Sequence, residues 1–228
     1  DVFVSKAGAE NAPIRFAEQS GVIRSSAISD NGHWVYDTTD YGTIEGELGG
    51  VVQEKNTCTV LTAIRELLSL GYKITPQAVK TGFAQVTGLT GLMGRWQIIQ
   101  RDPLIICDTG HNVGGWEYLS KQLDQTPCHA LHIVIGMVND KDIHGVLKLL
   151  PKKAIYYFTN ASVERALPAE EFALQASEHG LKGTIHSSVA LAIEAAKHAA
   201  EPNDCIFIGG STFIVSDALI ALKLDIYN

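Results

Sequence analysis

Leu104-Ile105-Ile106-Cys107-Asp108-Thr109-Gly110-His111-Asn112-Val113-Gly114-Gly115 passes from a short apolar run into a polar loop and then a glycine pair. Four apolar residues followed by turn formers read as a buried strand, and the spacing beyond them is helical. The same unit recurs downstream. Strands are expected over 104–107, 130–135, 154–158, 184–186 and 205–208, with helices over 115–123, 143–149, 169–178, 188–199 and 211–222. Strands that alternate with amphipathic helices pair in parallel through crossovers, so this part is expected to be a doubly wound α/β sheet.

In such sheets ligands bind beyond the carboxyl ends of the strands, which singles out three loops. Asp108, His111 and Asn112 place a carboxylate, an imidazole and an amide within five residues at a helix start. Asp108 suits ribose hydroxyls, and His111 and Asn112 suit phosphate or carbonyl oxygens. Capping would account for Asp108 and Asn112 but would leave His111 without a task. In the second loop, Gly136-Met137-Val138-Asn139-Asp140-Lys141-Asp142, capping by an aspartate suffices. The third, Gly209-Gly210-Ser211-Thr212, fits an anion cradle and a serine cap equally well.

Upstream the pattern is less regular. Asp1-Val2-Phe3-Val4-Ser5 reads as a strand, and β-like pieces surround residues 32–36. A helix is expected over 54–70, with Gly71 as its C-terminal cap, and a second from Pro76 to about Val86. Gly88-Leu89-Thr90-Gly91-Leu92-Met93-Gly94 has the glycine density of a hinge, dividing the chain into domains of 1–90 and 91–228.

The 228 residues include 18 basic and 25 acidic side chains, for a formal net charge of −7. That balance argues against nucleic acid as a partner, and no apolar run is long enough to span a bilayer. Cys58, Cys107, Cys128 and Cys205 are scattered, three of them in apolar runs, as expected of reduced thiols in a cytoplasmic protein. Neither G-x-G-x-x-G nor G-x-x-x-x-G-K-[ST] occurs, and Ser211 is not in a G-x-S-x-G elbow. His129 and His132, three apart on a strand, would face opposite ways and make poor joint metal ligands.

Several segments together resemble the folylpolyglutamate synthase/dihydrofolate synthase family of the Mur ligase superfamily. Gly94-Arg95-Trp96-Gln97 is similar to its Gly-Arg-aromatic-Glu/Gln motif, and Asp108-Thr109-Gly110-His111-Asn112 to its Asp-Gly-Ala-His-Asn loop. Gln53-Glu54-Lys55-Asn56 resembles its Tyr-Gln-x-x-Asn motif, the 136–142 loop its Gly-x-x-x-Asp-Lys-Asp stretch, and Gly210-Ser211 its late Gly-Ser. Thr109-Gly110 stands where Gly-Ala is usual, and Val113 where proline is common.

The resemblance implies a Rossmann-like C-terminal domain over 91–228, preceded over 1–90 by the end of a central α/β ATPase domain. The family's phosphate loop, Mg²⁺ ligands and modified lysine would then belong to an N-terminal part of the same protein that lies upstream. Lys6 is read as lying beyond that lysine segment. The implied reaction is ATP-dependent: a carboxylate of folate or dihydropteroate is phosphorylated, and the amine of L-glutamate attacks the acyl phosphate. By carry-over Asn56 would contact adenine, Arg95 the phosphates and Asp108 the ribose. His111 would serve catalysis and substrate beside the phosphates, Asn112 would orient the loop, and Ser211 would face folate or glutamate. On this reading these residues alone would not turn over. The alternatives are a peptidoglycan ligase of the Mur type and a non-catalytic α/β binding module.

Overall fold

The computed structural model describes residues 1–223, so residues 224–228 of the expected second domain lie outside the described residues. The chain forms two compact units, one of Asp1–Glu47 with Val52–Leu89, the other of Leu48–Val51 with the chain from Thr90 onward.

The first unit begins with a helix, α1 (Val2–Ala9), where the sequence suggested a strand. Asp1 caps it by accepting the Phe3 N–H at 3.1 Å. Three apolar residues are too few to show a period, and an end-capping carboxylate decides for helix. The β-like region is a full antiparallel meander of β1 (Ile23–Ile28), β2 (Trp34–Thr38) and β3 (Gly42–Gly46). Its inner face, with Trp34, Tyr36 and Ile44, packs with Leu61 of α2 (Gln53–Ser69) and Val79 of α3 (Pro76–Ala84). Thr75 caps α3, with Pro76 in its first turn. The expected hinge is partly helical: α4 spans Val86–Thr90, and only Gly91 and Gly94 of its glycines take positive φ.

The second unit is built on one six-stranded sheet. Its strands are β4 (Gln97–Arg101), β5 (Leu104–Asp108), β6 (Leu131–Ile135), β7 (Ile155–Phe158), β8 (Gly183–Ile185) and β9 (Cys205–Gly209). The order is β4-β5-β9-β6-β7-β8, all parallel except β4, which runs against β5. The helices are α5 (Val113–Gln125), α6 (Ile143–Leu149), α7 (Ala169–Glu178), α8 (Val189–Ala199) and α9 (Thr212–Ala221).

Strand alternation divides the core in two. Ile106, Ile133, Ile135, Tyr156, Phe158 and Phe207 pack with Trp116 of α5, Val146 of α6 and Phe172 of α7. Ile105, Cys107, Val134, Tyr157, Ile206 and Ile208 pack with Ile193 of α8 and Ile214 and Val215 of α9. Fully burying each large apolar side chain contributes about 1.5–3 kcal/mol, so both helical layers are firmly held. Cys107 and Cys205 are buried, Cys58 and Cys128 half-buried, and all four are free thiols.

The topology also positions the loops. β9 lies between β5 and β6, and its helix α9 covers the face opposite α5 and α6. Neighbouring strands whose helices diverge open a crevice at their carboxyl ends.

Candidate functional site

At that edge Asp108 ends β5, Gly209 ends β9 beside it, and Ile135 of β6 pairs with Gly209 from the other side. The approach is close. A Cβ at Gly210, where φ is +95°, would lie 2.5 Å from the Gly136 carbonyl oxygen, so only glycine fits between the two loops. Ser211 follows as the N-cap of α9, its Oγ accepting the Ile214 N–H at 3.1 Å, and it is 2% exposed. The cap is therefore occupied, while the hydroxyl hydrogen is still available to donate.

Asp108 holds the next piece in place. Its Oδ2 accepts the Trp96 N–H at 2.7 Å and its Oδ1 the Gly110 N–H at 2.8 Å. Burial raises its pKa above the usual carboxylate value, against the opposing pull of those two bonds and of the Arg95 charge. The bonded turn is unusual. Gly94 has φ +71° and Trp96, a non-glycine residue, has φ +47°. Gln97 accepts the Gly94 N–H at 2.8 Å, and the Gly94 carbonyl accepts the Thr109 N–H at 2.9 Å. A bulky residue in the left-handed region persists only where its surroundings fix it, and here the Asp108 carboxylate and the burial of the indole do so.

Between these anchors stands Arg95, half-buried and close enough to Asp108 to act on its charge. Among the described residues its guanidinium has no hydrogen-bond or ion-pair partner, which leaves a rigidly based cation open to an anion.

His111 is half-buried, with Nδ1 3.0 Å from the Thr109 carbonyl oxygen. A carbonyl can only accept, so Nδ1 carries the proton and Nε2 of the neutral ring is left as an acceptor. Asn112 caps α5 through Oδ1, taking the Gly115 N–H at 2.8 Å. Asp142 likewise caps α6, from Gly145 at 2.9 Å, and Asp140 pairs with Arg165 at 3.4 Å. Of the six residues singled out from sequence, the fold thus brings Arg95, Asp108, His111, Asn112 and Ser211 to one edge of one sheet. Asn56 lies in the other unit, exposed in the first part of α2, where its Nδ2 donates to Gln53 Oε1 at 3.1 Å.

Trp96, Gln97 and Thr109 were not given roles from sequence. Their contribution depends on β4, which no periodicity announced. Thr109 is 5% exposed and its hydroxyl has no partner among the described residues. His132 has both ring nitrogens engaged within the core. It is buried between the Tyr157 hydroxyl, 3.0 Å from Nδ1, and Asp204, 3.3 Å from Nε2. Among the described residues no group of three or more His, Cys, Asp or Glu is placed to hold a metal, and no helix is long and apolar enough to cross a membrane.

The strand order and its converging loops define an α/β domain of the doubly wound class, with its topological crevice at the carboxyl ends of β5 and β9. Residues 94–212 match the family described as Mur ligase, glutamate ligase domain, and the chain belongs to that family. It is 32% identical over 195 residues to the dihydrofolate synthase/folylpolyglutamate synthase of Escherichia coli (strain K12), a match covering 82% of this chain and 44% of that protein. The solved structure of E. coli FolC in complex with ADP, without folate substrate, superposes with a TM-score of 0.73 at 28% identity, covering 96% of this chain and 50% of that one. Folylpolyglutamate synthase of Mycobacterium tuberculosis, complexed with ADP and AMPPCP, shares the fold with a TM-score of 0.84 at 22% identity, over 98% of this chain and 52% of that one. The chain spans about half the length of these relatives, or somewhat less.

Proposed function

We propose that the chain supplies the glutamate-ligase portion of an ATP-dependent enzyme that joins L-glutamate to folate or dihydropteroate. The observation that carries the reading is Arg95. It is a half-buried cation with no hydrogen-bond or ion-pair partner among the described residues, held on a turn that Asp108 fixes at the carboxyl edge of the sheet.

The residues fit a nucleotide. Arg95 would neutralise phosphate oxygens through its planar fork. Asp108 uses one backbone donor per carboxylate oxygen and keeps lone pairs for ribose hydroxyls. Asn112 orients the loop as the α5 cap, and an adenine contact by Asn56, in the first unit, rests on the family resemblance alone. Bound ATP supplies the phosphoryl group that activates the acceptor's carboxylate. His111 Nε2 would accept a hydrogen bond from the incoming amine, and the Ser211 hydroxyl would donate to a substrate carboxylate. Charge neutralisation and alignment are the main requirements of such transfers, and these side chains provide them. Mg²⁺ belongs to the same family expectation, but the described residues do not assemble a donor set for it, and no step here is routed through it.

The domain reading accompanies this proposal: residues 1–90 as the end of an ATP-binding domain and 91–228 as the Mur-type C-terminal domain. The decisive experiment replaces the matching portion of the E. coli enzyme with this chain and follows phosphate release. Release that requires both L-glutamate and dihydropteroate or folate, and that is lost with Arg95→Ala, is the expected result. A well-folded chimera that releases phosphate only with a peptidoglycan precursor, or with no acceptor at all, would overturn it.

A further inference from the structure

Away from the ligand edge, two histidines meet on the helical surface. His144 sits in the first turn of α6, and His179 is the C-cap of α7. His144 Nδ1 lies 3.1 Å from His179 Nε2, with ring centroids 5.4 Å apart and the planes at 47°. Neither ring has another hydrogen-bond partner among the described residues. A bond between two imidazoles is a poor way to tie helices, because it demands complementary tautomers and turns repulsive once both rings are charged.

The same placement suits a metal. With metal–nitrogen bonds of about 2.0–2.1 Å, nitrogens 3.1 Å apart subtend about 95–102° at the ion, between octahedral and tetrahedral angles. Small ring rotations would aim both lone pairs at that point. The backbone beneath is fixed. Asp142 caps α6, the His179 N–H donates to the Ala176 carbonyl at 3.0 Å, and Lys152 Nζ bridges the Leu147 and His179 carbonyl oxygens, each at 3.2 Å. Ligands held before the ion arrives lose little freedom on binding it.

We infer that His144 and His179 form a surface site for a borderline divalent transition ion (Zn²⁺, Ni²⁺ or Cu²⁺) that staples α6 to the end of α7. Two imidazoles bind the ion, and water completes the shell, since no third His, Cys, Asp or Glu joins them among the described residues. Hard Mg²⁺, which prefers oxygen ligands, is excluded by the donor set. Because α6 follows directly on the 136–142 loop, the staple also anchors the downstream end of that loop.

The test takes the chelator-treated chain and titrates it with NiCl2, following the imidazole nitrogens by NMR, with ZnCl2 and MgCl2 in parallel thermal unfolding. The first equivalent of Ni²⁺ is expected to broaden His144 and His179 before the remaining six of the eight histidines. Zn²⁺ should raise the unfolding temperature and Mg²⁺ should not. His144→Ala and His179→Ala should each weaken Ni²⁺ binding by about tenfold or more, since each removes half of a chelating pair. Broadening that starts at another histidine would overturn the proposal. So would affinity within about twofold of the parent in either variant, which would mean capture by a single ring.

Discussion

Two carboxylates at opposite ends of the same sheet show how one chemical group is put to different uses. Asp204, just before β9, is 4% exposed and has three partners: the Ala130 N–H at 2.9 Å, the Glu201 N–H at 2.8 Å and His132 Nε2 at 3.3 Å. Burial pushes its pKa up, but those partners together outweigh burial and leave it below the usual carboxylate value. Asp108, the last residue of β5, has two backbone donors and an arginine that acts on it only through its charge, so burial prevails and its pKa is raised. Asp204 spends its bonding capacity on partners within the chain, whereas Asp108 retains some of its own.

Removing Asp204 should therefore produce the largest effect. Asp204→Ala would strand two backbone donors and a buried imidazole, and a loss of about 3–5 kcal/mol in urea unfolding is expected. A loss under about 1 kcal/mol would mean that the network does little to hold the amino ends of β6 and β9 together.

Asp108→Ala comes next. Two part-buried donors lose their acceptor and the Trp96 turn loses its anchor, so about 1–3 kcal/mol should disappear, together with the ADP binding that the proposed function expects, measured by calorimetry. Asp108→Asn, which keeps one acceptor oxygen, should recover part of the stability. Arg95→Ala separates the two effects most clearly. With no hydrogen bond or ion pair to lose among the described residues, only its charge on Asp108, it should change stability by no more than about 0.5 kcal/mol while weakening ADP by about tenfold or more. Equal losses in both measurements would make Arg95 a structural residue.

The smallest effect is in pH dependence, and the two aspartates should differ in sign. The depressed pKa of Asp204 gives stability that is present above the ordinary carboxylate range and is lost as pH falls through its folded value. The raised pKa of Asp108 does the reverse, favouring the fold below the ordinary carboxylate range and losing that contribution as pH rises through the folded value. Unfolding temperatures between acid and neutral pH should fall less steeply toward acid in Asp204→Asn than in the parent. In Asp108→Asn they should fall more steeply.

Particular residues show what was legible beforehand. Leu104, Ile133 and Cys205 lie in runs whose length and composition already mark strands, and Asn112, Asp142 and Ser211 are capping types at helix starts, where local chemistry is enough. Asp1 was misjudged because three apolar residues carry no period. Strand β4 escaped notice because Gln97 and Gln100 interrupt its apolar residues, and its partner decides the matter. The motif around Arg95 was visible as a string of residues. That Asp108 props up its backbone was not visible, since the bond crosses an antiparallel pair 12 residues apart.

The sequence by itself determined the alternation of strands and helices, the caps and the residues offered at each loop, because all of these depend on neighbours within a few positions. Only the tertiary structure decided that the last strand inserts between β5 and β6. Strand order is set by packing among residues far apart in the chain, such as Leu104 and Cys205, and that insertion brings the Ser211 loop against the loops of Asp108 and Gly136.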